Sequence, residues 1–195
     1  MEPKSVLRDS RLIDSLEVLP HAPFKATVWR VVREARDPCQ CSASGGRWDD
    51  GSFDVLYTSL DRDGAIAEMY FQLLRGQPVF PSKVRYTLNE LRVELSETLH
   101  LQTLPDLAAL GLDTSRYGQL SSVERIQEYT RTQEIAEVAH FLDCDGLVSR
   151  VQDGLAPTSF SSAIAWVRMP SRSSRTMVLS TGRAGRRRTK SSSKA

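Results

Sequence analysis

Segments with the two-residue period of strands and segments with the period of helices are interspersed along this chain without regular alternation. That irregular order constrains the fold more than any other feature. A doubly wound sheet requires strand and helix to take turns, so the pattern favours an α+β fold.

The pattern begins with Leu12, Ile13, Leu16 and Leu19, spaced for a short helix that breaks at Pro20 and Pro23. Residues 26–33 are dense in β-branched and aromatic side chains and read as a buried strand. A loop through Ser42 to Gly46 follows, then a second strand alternating Phe53, Val55 and Tyr57 and ending near Ser59. Asp61 or Asp63 can cap the next helix, whose apolar positions run from Ala65 to Leu73 until Gly76 and Pro78 stop it. Residues 83–95 alternate as one long strand or as a hairpin turning at Asn89-Glu90. Leu107 to Leu110 forms a short helix with Gly111 as its stop, and Ser121 to Leu142 a longer one. Within the longer helix Ser121 with Glu124, and Thr130 with Gln133, both have capping-box spacing. Closing strands are expected near 146–151, 163–168 and 177–179.

A chain of 195 residues, 40% hydrophobic and 26% charged, is long enough to bury one continuous core and hold a cleft. No apolar run approaches the roughly 18 residues of a membrane-spanning helix, and the charged amino terminus has no signal-peptide core. The expected compartment is the cytosol. Cys39, Cys41 and Cys144 cannot all pair, and they share no zinc-like spacing with His21, His100 or His140, so reduced thiols are expected and no metal.

The formal net charge of +2 conceals a split. From Gly182 onward the chain holds six basic residues, Arg183, Arg186, Arg187, Arg188, Lys190 and Lys194, and no acid, which leaves the remainder mildly acidic. The organisation read from composition is an amino-terminal helical segment over 1–25, one globular domain over 26–180 and a basic disordered tail over 181–195.

Three residues stand out chemically. Arg30 lies in a strand apolar on both sides and shares a pleat face with Val28 and Val32; its guanidinium stays charged and must meet an anion or carbonyls. An internal salt bridge and a ligand phosphate both answer that need. Arg47 follows two glycines, where a side chain can project from a turn into a cleft, although turns of this kind are common. Glu68 stands in the first turns of an amphipathic helix near its apolar boundary, as a carboxylate at the rim of the core or simply on a solvated face.

The run Gly45-Gly46-Arg47-Trp48, then Gly51, then Val55-Leu56-Tyr57-Thr58-Ser59, then Ala65 and Ala67-Glu68, resembles the RES domain signature. Val28-Trp29-Arg30-Val31 upstream, and Leu107 to Leu112, Thr132-Gln133-Glu134-Ile135-Ala136 and Asp145-Gly146-Leu147 downstream, resemble its other blocks, so the likeness spans about residues 26–168. The family is named for an arginine, a glutamate and a serine. The resemblance carries the arginine onto Arg47 and the glutamate onto Glu68, with Arg30 and Tyr57 as further pocket residues. For the serine, Ser149 followed by Arg150 fits the chemistry but comes early after Asp145-Gly146, and Ser159 is the competitor.

The resemblance implies a single domain similar to the ADP-ribosyltransferase fold, a split mixed or antiparallel sheet flanked by helices, with NAD⁺ held as substrate in its cleft and no metal. It further implies a cytoplasmic toxin that breaks the nicotinamide–ribose bond with water or phosphate as acceptor, or alternatively transfers ADP-ribose to a protein. The implied partner is an antitoxin with an Xre-like helix-turn-helix domain. Two readings compete: a nucleic-acid-binding module built on the basic tail, and an RNA-cleaving toxin using His140 as general acid or base.

Overall fold

Leu12 and Leu16, one helical turn apart, are almost fully covered, and they seat the first helix on the rest of the chain. This helix, α1 (Ser10–Glu17), starts at Asp9, whose carboxylate accepts the N–H of Arg11 at 3.0 Å. The structure is a computed structural model, and it describes residues 8–74, 84–114, 122–151, 162–167 and 180–182. Expectations for Ser121, Ser159, the strand at 177–179 and the basic tail lie outside those residues.

The first strand, β1 (His21–Arg33), begins five residues earlier than its composition indicates and pairs antiparallel with β3 (Tyr86–Leu101). Pro23 does not break it. Ala22 and Phe24 face Thr98 and Leu95, so one residue of β1 stands opposite two of β3, Ser96 and Glu97. A proline, which has no N–H to give, is tolerated at such a bulge. Asp145 secures the bulge from below: its carboxylate accepts the N–H groups of Ser96 and Glu97 at 3.0 and 3.2 Å, and its own N–H donates to the Glu97 carbonyl at 2.7 Å.

The bulge also exchanges the faces of β3. Leu91, Val93 and Leu95 pack with Val28 and Leu56, whereas Leu99 and Leu101, of the same parity, pack with the helices. The described part of the stretch expected over 83–95 therefore runs from Tyr86 within one long strand and makes no hairpin. Asn89 is held within it, its amide donating to the Thr87 carbonyl at 3.1 Å.

Between β1 and β3 lie β2 (Thr58–Ser59) and α2 (Arg62–Leu74). The alternation Phe53, Val55, Tyr57 holds for burial, but regular pairing is confined to β2 and to a single bridge between Ser42 and Val55, because turns centred on Asp49 and Asp50 occupy the backbone before it. Asp61 caps α2 through the N–H of Gly64. After β3 come α3 (Leu104–Ala109), α4 (Ser122–Phe141), β4 (Gly146–Val151), β5 (Ser162–Val167) and β6 (Ser180–Gly182). Thr103 and Asp106 form a reciprocal capping box that the sequence pattern did not reveal, and Gly111 stops α3 in the left-handed region at φ 83°. Thr130, expected as a cap, lies inside α4.

The strand order is β1-β2-β5-β4-β3-β6, and β1 pairs with β3 as well, so five strands close into a ring. Only β3 and β4 run parallel among these pairs. Val148 on β4 packs with Phe24 of the non-neighbouring strand β1 and with Leu60 just after β2, which marks the face that points into the ring. The other face carries Leu99, Leu101 and Leu147 against Leu12, Leu16, Leu107, Ile135, Val138 and Ala139 of the helices. At about 25 cal/mol per Å² of apolar area, this helix-covered outer face is the larger stabilising element. The result is the α+β architecture expected, a curled mixed sheet flanked by helices. No helix among the described residues is long and apolar enough to cross a membrane.

Candidate active site

The loop that carries Arg47 is folded around one carboxylate. Asp49 is fully buried and accepts four hydrogen bonds: from the N–H groups of Gly45 at 2.7 Å, Gly46 at 2.8 Å and Gly51 at 3.1 Å, and from the Tyr57 hydroxyl at 3.0 Å. Gly45 and Gly51 take φ of 73° and 87°, the left-handed region that lets successive N–H groups turn toward one acceptor. Helix α4 holds the same loop by its carbonyls. Gln133 donates to Gly46 at 2.7 Å and to Asp49 at 3.1 Å, while the Thr132 hydroxyl donates to the Arg47 carbonyl at 2.5 Å. The guanidinium of Arg47 lies 5.8 Å from the ring centre of Tyr129 on that helix, within reach of a cation–π contact.

Tyr57 closes this loop from the strand side. Its oxygen accepts the Trp48 N–H at 3.0 Å while its proton goes to Asp49. Burial, then the charge of Asp49, pushes its pKa well above the ordinary phenol value, and the carboxylate of Glu68 adds to that push. Glu68 is therefore near enough to Tyr57 for its charge to be felt, and the phenol stays protonated. Gly46 allows the close approach, because a Cβ there would lie 2.6 Å from the phenol oxygen.

Ser149 shares the outer face with Tyr57. It is fully buried, and both it and Ser59 pair with Ile164 from opposite edges of β5, which sets the two serines about 10 Å apart at ordinary strand spacing. Ser59 itself turns back to Asp61, donating to its carbonyl at 2.8 Å at the entrance to α2.

Arg30 is not brought to this group. It lies on the inner face with Val28, and its Nη1 donates to the carbonyls of Pro38 at 2.7 Å and Gln40 at 2.9 Å. Of the needs stated for a guanidinium in an apolar strand, carbonyls rather than a salt bridge supply the answer. Burial and then the charge of Arg36 lower its pKa, with Cys41 and Cys39 acting the other way. His140 stacks on Phe53, ring centres 4.5 Å apart and planes 19° from parallel. Among the described residues no group of three or more His, Cys, Asp or Glu stands where it could hold a metal ion.

Sequence reasoning did not single out Asp49, and it took Gln133 as a capping-box residue and Thr132-Gln133 as part of a block resembling the RES domain. The signal for Asp49 was present: an aspartate shortly after a glycine pair is placed to accept their N–H groups. Nothing in the pattern of α4 pointed to what Gln133 and Thr132 hold.

Comparison with known proteins gives two findings. Residues 27–154 match the RES domain. Among solved structures, a chain of the crystal structure of the M. tuberculosis MbcT–MbcA toxin–antitoxin complex is similar, with a TM-score of 0.66 at 17% identity, over 88% of this chain and 92% of that one. No curated protein matches.

Proposed function

The chain belongs to the RES domain family, and from that membership we propose that it is a toxin-like enzyme that binds NAD⁺ and breaks its nicotinamide–ribose bond. The observation that supports this most is the junction at Tyr57, which is bonded to the loop of Arg47 and lies within the field of Glu68.

Arg47, presented by a loop with both its N–H groups and its carbonyls held, binds the pyrophosphate through charge-assisted hydrogen bonds and fixes the dinucleotide. The half-buried ring of Tyr57 offers an aromatic face to the cationic nicotinamide. As the bond from ribose C1 to the pyridinium nitrogen lengthens, its electron pair goes to the nitrogen and positive charge develops on the ribose as an oxocarbenium ion. Glu68 stabilises that charge and holds the ribose hydroxyls. Nicotinamide leaves neutral and needs no strong acid.

Water then adds at C1 and releases one proton to give ADP-ribose; inorganic phosphate gives the 1-phosphorylated product instead. Ser149 is covered in this structure, so we assign it to the floor beneath the sugar. Arg30, a further pocket residue by the resemblance, holds the 38–40 loop through the two carbonyls to which its Nη1 donates.

The similar chain comes from a toxin–antitoxin complex, and we assign this chain an antitoxin partner, with an Xre-like helix-turn-helix domain by the family resemblance. The experiment is to incubate the purified protein with NAD⁺, with and without phosphate, and identify the products by mass. Free nicotinamide with ADP-ribose or its phosphorylated form is expected. Intact NAD⁺ after prolonged incubation overturns the proposal, and ADP-ribose found only on protein assigns transferase activity.

A further inference from the structure

A buried carboxylate is costly unless each of its oxygens is satisfied. Asp49 meets that condition with backbone and phenol donors alone; among the described residues no cationic side chain forms an ion pair with it. Each carboxylate oxygen takes two donors, Oδ1 from Gly45 and Gly51 and Oδ2 from Gly46 and Tyr57, so the group gathers both ends of the turn around position 47. The opposite side of the turn is fastened to α4 through Thr132 and Gln133. A turn flanked by two left-handed glycines is otherwise free to adopt many shapes, and an arginine at its apex would lose aim with each of them.

We infer that Asp49 is a positioning residue for Arg47, which it holds toward the substrate from beneath the loop, with Gln133 as the second anchor on the helix side. The inference rests on the reading of Arg47 as the pyrophosphate ligand. It assigns Asp49 no contact with substrate. A ligand-gripping arginine that loses its aim weakens binding in the ground and transition states alike, so the loss falls on KM.

The test is steady-state NAD⁺ consumption by Asp49→Ala, Asp49→Asn and Gln133→Ala beside the wild type, with amide hydrogen exchange over 45–51 measured on the same proteins. Asp49→Ala is expected to raise KM on the order of tenfold with kcat nearly kept. Asp49→Asn, whose remaining oxygen still accepts two donors, recovers much of that loss. The amides of Gly45, Gly46, Trp48 and Gly51 exchange faster in Asp49→Ala, and those of the same loop in Gln133→Ala.

A merely structural Asp49 would lower the folded fraction, reducing apparent kcat with KM unchanged, and that result overturns the inference. Unchanged loop exchange overturns it as well. A wild type that leaves NAD⁺ intact sinks the functional reading instead, while the exchange data still decide whether Asp49 holds the loop. Should Asp49→Ala fail to fold, Gln133→Ala on the half-exposed side of the loop carries both measurements.

Discussion

Gly46 stands so close to Tyr57 that a Cβ built on it would meet the phenol oxygen at 2.6 Å and the Oδ2 of Asp49 at 3.1 Å. The phenol oxygen is already fixed by Trp48 and Asp49, so it has no free direction in which to yield. Gly46→Ala is expected to destabilise the protein by about 1–3 kcal/mol through overpacking and to displace the Arg47 loop, lowering NAD⁺ turnover. Gly45→Ala is the contrast: its Cβ meets nothing within 4 Å, but the position holds φ 73°. It costs about 1–2 kcal/mol of backbone strain and leaves the Tyr57–Asp49 bond intact. Urea unfolding gives both stabilities, and equal turnover in the two variants would refute the distinction.

Glu68 acts on charge that exists only as the glycosidic bond breaks, so its removal should fall on kcat. Glu68→Gln keeps the size and loses the charge, and is expected to slow nicotinamide release by about 10²–10³ with KM little changed. A KM effect without a kcat effect would move Glu68 from the transition state to substrate binding.

His140 is stacked against Phe53 at the end of α4, a packing role open to any aromatic ring. His140→Phe should keep NAD⁺ loss and the melting temperature close to wild type. A large loss of activity in this variant would revive a general acid–base role for the imidazole.

The parts of the fold that were legible in the sequence are those fixed by local periodicity. The stripe of Leu12 and Leu16, the helix ending at Phe141 and the strand over 146–151 all emerge from spacing alone. What escaped depends on partners distant in sequence. Asn89 looked like a turn because its neighbours permit one, but β1 supplies a partner for every residue from Tyr86 to Leu91, which keeps the strand straight through it. Gln133 had the spacing of a cap and instead spends its amide on carbonyls 84 and 87 positions away. For the site, the residue types Arg47, Tyr57 and Glu68 were readable through the family likeness. The face on which Arg30 lies was not, since pleat parity fixes it only once the sheet closes, and the hub at Asp49 left only the local signal of an aspartate shortly after a glycine pair, with no periodic trace.

Asp145 holds the bulge that reverses the faces of β3 just before it pairs with β4. Asp145→Ala leaves two exposed N–H groups to water, at a cost of about 1 kcal/mol. The larger consequence is positional: a one-residue slip between β3 and β4 would turn Ser149 to the inner face. The variant is expected to fold with a lower melting temperature and to lose NAD⁺ turnover out of proportion to its stability. Turnover that merely tracks the folded fraction would show that the register is held without Asp145.

Cys144 should make the protein less stable in alkali. Its thiol is almost fully covered, and burial, then the carboxylates of Glu97, Asp145 and Asp143, push its pKa up from 9.0 to about 11. His21 faces it, with Nδ1 3.9 Å from the sulfur, and donates from Nε2 to the Leu16 carbonyl, which leaves Nδ1 free to accept the S–H. Below pH 9 the thiol is neutral in both folded and unfolded chains and contributes no slope. Between pH 9 and 11 the unfolded chain loses this proton while the folded chain keeps it, so the unfolded state binds fewer protons and stability falls as pH rises. Other groups also titrate in that window, so the informative quantity is the difference between wild type and Cys144→Ala. The variant is less stable at neutral pH because of the space it opens, and its deficit should shrink steadily from pH 9 to 11. Denaturant unfolding across that range reads the slope directly; parallel stability curves for the two proteins would show that the thiol does not carry this proton on folding.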